Sequence, residues 1–194
     1  MPSNSLSRLA GWAGLASAAI LLLNAARRGG LIPDNLPVTH ALAPLAEAFG
    51  LLLVTGLFLA ARRSSGALGT LGTLGFTLNF LGMAALVGVE FILNFIFPEL
   101  TKAQISTLRD GLTGTVFTGS SLLFLTGVLL FAFTLWRTTP TPRAAIAAYA
   151  LGAVPVSLRG VLPAPTLPIG LVLLACGVGW LGLTLTRPTP ALEL

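Results

Sequence analysis

Ala67 to Phe97 reads ALGTLGTLGFTLNFLGMAALVGVEFILNFIF, thirty-one residues with one ionisable side chain, Glu90. As a helix rising 1.5 Å per residue it measures about 46 Å, longer than the roughly 30 Å hydrocarbon core of a bilayer. A segment of this kind crosses a membrane with tilt or overhang. A carboxyl group inside a span costs about 2.5 to 3.5 kcal/mol on insertion scales, so Glu90 is expected to face the protein interior or a wet cavity and to have a partner.

The rest of the chain agrees with that reading. Of 194 residues, 55% are hydrophobic and 9% charged, and the mean hydropathy is +0.92, outside the range of soluble domains. The class expected is an all-α polytopic transmembrane helical bundle forming one integral-membrane domain over 1–194. The apolar runs are long and unbroken, whereas a membrane β-barrel needs alternating segments of about ten residues. No polar stretch between them is long enough to bury a core of its own.

Outward from the central stretch, six apolar segments can be marked: about 6–26, 40–61, 67–97, 112–136, 144–162 and 167–186. Pro155 is expected to kink the fifth, because it removes a backbone donor and frees the carbonyl of Leu151. The first segment follows Arg8 but has no clear small-x-small site after its core, so it is read as a span and not as a cleaved signal peptide.

Short loops fix the relative orientation of the spans. With the N-terminus inside, Arg8, Arg62, Arg63, Arg137, Arg143 and Arg187 fall inside, and Arg27, Arg28, Lys102, Arg109 and Arg159 outside. Six against five favours cytoplasmic termini in a multi-pass protein of the cell membrane. The net charge of +5 is distributed singly or in pairs at the ends of apolar runs. That pattern suits lipid headgroups and excludes nucleic acid as a partner.

Two local patterns stand out in the sequence. In PELTKAQISTLRDG, Pro98 to Gly111, Thr101 and Gln104 have capping-box spacing and Leu100 with Ile105 has staple spacing, so an interfacial helix is predicted over Lys102–Asp110. Leu51, Leu52, Thr55 and Gly56 recur in spacing as Leu122, Leu123, Thr126 and Gly127, and Gly11 with Gly14 echoes Gly72 with Gly75. A repeated two-helix hairpin is one reading of the match, and chance similarity in Leu- and Gly-rich helices is the other.

The polar residues of the six-span reading gather in the outer half. Arg27 and Arg28 end the first span, His40 and Glu47 open the second, Glu90 and Asn94 close the third, and Arg159 ends the fifth. His40 and Glu47 are seven apart, Glu90 and Asn94 four apart, and Asn79 returns to the Glu90 face within about 20° by the 3.6-residue period. These seven residues, Arg27, Arg28, His40, Glu47, Glu90, Asn94 and Arg159, form the candidate ligand- or proton-binding set. The plain alternative is that a buried Glu–Arg pair only pins helices together.

Other chemistries lack their parts. His40 is the only histidine and Cys176 the only cysteine, which argues against a disulfide, a metal site or a bis-histidine haem, and no cofactor is expected. Ser120 and Ser121 have no evident base and are expected to bond their own backbone. No catalytic residue is assigned.

The segments LLLVTGLFLAARR, the glycine-rich third span and VEFILNFIFPEL resemble small multi-pass bacterial membrane proteins of a family without assigned function. That resemblance implies a bacterial inner-membrane location and no activity. Three functions remain: a non-enzymatic accessory or scaffold protein, with a protein partner or a second copy; a small-solute or proton-coupled transporter; and an enzyme acting on lipid or isoprenoid. The first is favoured by the missing catalytic motif.

Overall fold

A computed structural model describes residues 3–33, 37–65 and 68–187. Every regular element among them is helical: α1 (Ser3–Arg28), α2 (Pro37–Ser65), α3 (Gly69–Phe91), α4 (Lys102–Asp110), α5 (Leu112–Thr138), α6 (Arg143–Ser157) and α7 (Thr166–Thr186). A π-helical segment, Ile92–Ile96, and a 3-10 turn, Phe97–Glu99, continue α3. Pro98 lies in the opening of that turn, where its missing N–H is tolerated, and the element ends at Glu99 before extended Leu100.

Five helices are long and apolar enough to cross a membrane: those over Ser5–Arg28, Pro37–Ser64, Gly69–Glu99, Leu112–Thr138 and Thr166–Thr186. The sequence led us to expect about six spans; five helices reach that length, and a shorter apolar helix stands where the fifth span was expected. The segment expected over 144–162 is helical only over Arg143–Ser157, 15 residues, because the helix stops two residues after Pro155 and the chain turns from Leu158. The proline sits in the last turn of α6 and so ends the helix in place of kinking its middle.

The six longer helices close into a ring. α1 packs on α2 and α7, α2 on α3, α3 on α5, α5 on α6 and α6 on α7, with α2 also reaching α7 and α5. Sequential helices alternate in direction. One end of the bundle, here the terminal end, carries the start of α1 and the end of α7; the far end carries the α1–α2 loop and α4, which packs on α5 and sets Arg109 over the Phe97 ring. Phe131, Leu53, Leu135, Ile146 and Leu181 fill the interior. Leu52, Leu74, Leu81, Leu129 and Leu173 stand exposed, the exterior that a bilayer and not water would cover. At the terminal end Arg137 lies 4.6 Å above the Phe133 ring and Arg143 5.6 Å above Trp136, an arrangement that suits a headgroup boundary.

The hairpin repeat has a structural counterpart, in a register different from the expected one. Gly14 of α1 packs against Leu53 of α2, Gly82 of α3 against Phe124 of α5, and Gly152 of α6 against Leu174 of α7. On the facing helices Gly56 meets Ala10, Gly127 meets the Asn79 backbone, and Gly177 meets the Tyr149 backbone. The counterpart of Gly14 is therefore Gly82; Gly72 and Gly75 lie nearer the start of α3, against Thr134 and Phe131. A third copy of the motif, VLLACG from Val172 to Gly177, aligns with LLFLTG of α5. It escaped the sequence because cysteine stands in place of threonine.

The predicted α4 forms with its cap. Gln104 N–H donates to Thr101 Oγ1 at 3.4 Å, and Thr101 N–H donates to Gln104 Oε1 at 2.9 Å, the reciprocal capping box.

Candidate functional site

Five of the seven candidate residues meet at the far end, and a sixth lies close beneath. Arg27, in the last turn of α1, is only 4% exposed. Its Nη1 and Nη2 each donate to Asn94 Oδ1 at 3.3 Å. His40 Nδ1 lies 3.1 Å from the same oxygen and 3.4 Å from Arg27 Nη1. As a donor it serves Asn94; as an acceptor it takes Arg27.

Asn94 joins this group to the carboxylate. Its Nδ2 donates to Glu90 Oε2 at 3.0 Å and to the Glu90 carbonyl at 2.8 Å, a side-chain bond to the backbone inside the stretch where α3 widens into the π segment. Glu90 Oε1 accepts from Arg159 Nη1 at 3.0 Å, an ion pair whose side chains are 14% and 27% exposed. Four helical elements and the α6–α7 loop are thus tied by one continuous set of bonds: Arg27, His40, Asn94, Glu90, Arg159.

Glu47 sits deeper on α2. Its Oε2 is buried and has no hydrogen-bond partner among the described residues. Asn24 Oδ1 and Ser157 Oγ are buried in the same condition in the same half of the bundle. Arg28 departs from the candidate set: it is exposed at the end of α1, because Arg27 occupies the inward position of that turn.

Both helices flanking the cluster are irregular at this level. Pro44 interrupts α2 between His40 and Glu47, and the π segment of Ile92–Ile96 lies across from it. Pro44 has no N–H to give the His40 carbonyl. Such departures from regular helix are frequent at functional sites.

A second polar pair was not foreseen as a pair. Asn79, fully buried, donates through Nδ2 to Tyr149 Oη at 2.7 Å. Asn79 shares a face with Glu90 as the period requires, but eleven residues set it about 16 Å away along the axis. The polar stripe of the central helix is therefore two sites. The signal was available: Tyr149 is the only tyrosine of the chain, and a phenol inside an apolar run needs a partner.

Ser120 behaves as expected, its Oγ donating to the Val116 carbonyl at 2.8 Å. Among the described residues no group of three or more His, Cys, Asp or Glu could hold a metal ion. In comparisons with protein-family models, curated proteins and solved structures, no match was found. The class defined by fold and site is an all-helical bundle with five helices able to cross a bilayer and an ionic cluster at one end.

Proposed function

We propose that this chain is a non-enzymatic accessory or scaffold protein of six spans, set in a bacterial inner membrane with both termini cytoplasmic. One observation carries the reading: the cluster's groups are engaged with one another, Arg27 and His40 on Asn94, Asn94 on Glu90, Glu90 on Arg159. An arrangement in which buried charges bond each other fixes helix positions and leaves little to turn toward a substrate. α6 counts as the sixth span because its glycine crossing with α7 repeats that of α3 with α5. Membrane lipids cover the exposed leucines, and a protein partner or second copy completes the assembly.

Purification of the full chain in mild detergent tests this. A stoichiometric protein partner is the expected result; a tightly held solute or lipid at one per chain, with no protein, would overturn it. Reporter fusions after Ser65, Thr107 and Leu194 test the topology, with an external signal expected at Thr107 alone.

One observation favours a second reading, a small-solute or proton-coupled transporter. Glu47 is half-buried, its Oε2 is buried and bonds to nothing among the described residues, and intramembrane carboxyls often mark ion paths. Flux across reconstituted vesicles separates the two readings.

A further inference from the structure

Glu47 differs from Glu90 in depth and in company. His40 bonds Asn94, and Gly50 packs against Met83, so the antiparallel register of α2 and α3 sets Glu47 level with Leu86. That is about one helical turn further from the far end than Glu90. Glu90 bonds Arg159 and Asn94, whereas Glu47 Oε2 is buried and unbonded among the described residues.

The groups turned toward this position can be named helix by helix. α1 brings Ser17, whose hydroxyl is engaged with the Ala46 carbonyl at 2.8 Å, and Arg27 nearer the far end. α2 itself brings His40, α3 brings Glu90, the π segment brings Asn94, and the loop after α6 brings Arg159. α5 and α7 also touch α2, but Arg137 and Arg187 lie at their terminal ends, and Cys176 of α7 is exposed. Two guanidinium groups therefore stand along this polar face with two carboxyl groups: Glu90 holds Arg159 at 3.0 Å, and Asn94 holds Arg27 at 3.3 Å. A carboxylate oxygen at membrane depth with no bonded donor or cation is unfavourable, and the smallest cation able to reach it is a proton.

We propose that Glu47 is a proton-binding site, reached from the far end along the polar face of His40, Asn94 and Glu90. Hydronium gives a proton to a Glu47 carboxylate oxygen and leaves as water; the reverse step returns it. The interruption at Pro44 and the π segment opposite leave backbone irregular on both sides of that face, a departure tolerated at membrane depth where protein buries it or water reaches it. The site stands whether or not a proton crosses the membrane, so a silent flux assay removes the transporter reading and leaves this one to spectroscopy.

Infrared difference spectra of the full chain in lipid nanodiscs, cycled between acidic and alkaline buffer, test the proposal. The expected result is a high-frequency carboxylic-acid band, that of a carboxyl with few hydrogen bonds, which rises on acidification and shifts in D2O. It should vanish in Glu47→Gln and persist in Glu90→Gln. Should Glu47→Gln fail to fold, Glu47→Asp decides: a displaced band supports the assignment. A band unchanged in either Glu47 variant, lost in Glu90→Gln alone, absent from wild type, or unmoved by D2O overturns it.

Discussion

The two halves of this bundle are held together by different physics. Midway along α3 and α5, glycine brings backbone against backbone: Gly82 against Phe124, Gly127 against Asn79, with the same crossing repeated between α6 and α7. At the far end, α2 and α3 depart from regular helix, and side-chain charge closes the gap through Arg27, Asn94, Glu90 and Arg159. The first half is fixed by close backbone approach. The second is fixed by a bond network beside which one carboxyl oxygen, Glu47 Oε2, has no bond among the described residues, and that difference places any chemistry at the far end.

The largest effect should come from filling the shape-fixed crossing. Gly127→Leu would drive a side chain into the Asn79 backbone, and we expect a loss of about 4 kcal/mol or more, read as loss of folded protein in mixed-micelle unfolding. Glu90→Gln comes next. It leaves Arg159 with no carboxylate at its Nη1, and because the pair is partly exposed we expect about 3 kcal/mol, the lower end of the range for broken buried pairs. If the two variants reversed in order, charge and not shape would be the stronger constraint.

Tyr149→Phe sharpens the comparison inside the shape-fixed half. It removes the hydroxyl that Asn79 bonds at 2.7 Å, and interhelical hydrogen bonds in membranes are worth about 0.6 kcal/mol on average, with a maximum of about 1.7. A melt shifted by about 1 kcal/mol is expected; a loss comparable to Glu90→Gln would mean that this half, too, is held by polar bonds. The smallest effect belongs to Gly88→Ala. A Cβ there meets nothing within 4 Å, so the change should be neutral or stabilising by up to about 1 kcal/mol through helix propensity. Clear destabilisation would reveal a packing partner on that face.

Much of this was legible in the sequence, for reasons that differ by element. The spans follow from apolar length, and α4 from a capping box whose reciprocal bonds are purely local. Arg27, His40, Glu90, Asn94 and Arg159 could be gathered because each sits near the end of an apolar run, and short loops leave few ways to place such ends. What lay beyond reach depended on rotation and register between helices. Arg27 and Arg28 are equivalent in composition, yet only Arg27 faces inward. Periodicity gave Asn79 the right face but not its distance from Glu90, and the glycine echo of Gly11 with Gly72 lay two turns from the true equivalence of Gly14 with Gly82. The short α6 was hidden by Pro155, whose effect depends on how many residues follow it in the helix.

The central claim is that the Glu90–Arg159 pair acts as a structural tie between α3 and the α6–α7 loop. A double-mutant cycle measures it: unfolding free energies of wild type, Glu90→Gln, Arg159→Gln and the double variant in mixed micelles. Coupling of about 2 kcal/mol, with the double variant no less stable than the worse single one, is the predicted result. Losses that add to within about 0.5 kcal/mol would show two side chains that neighbour each other without holding the bundle together, and would contradict the account.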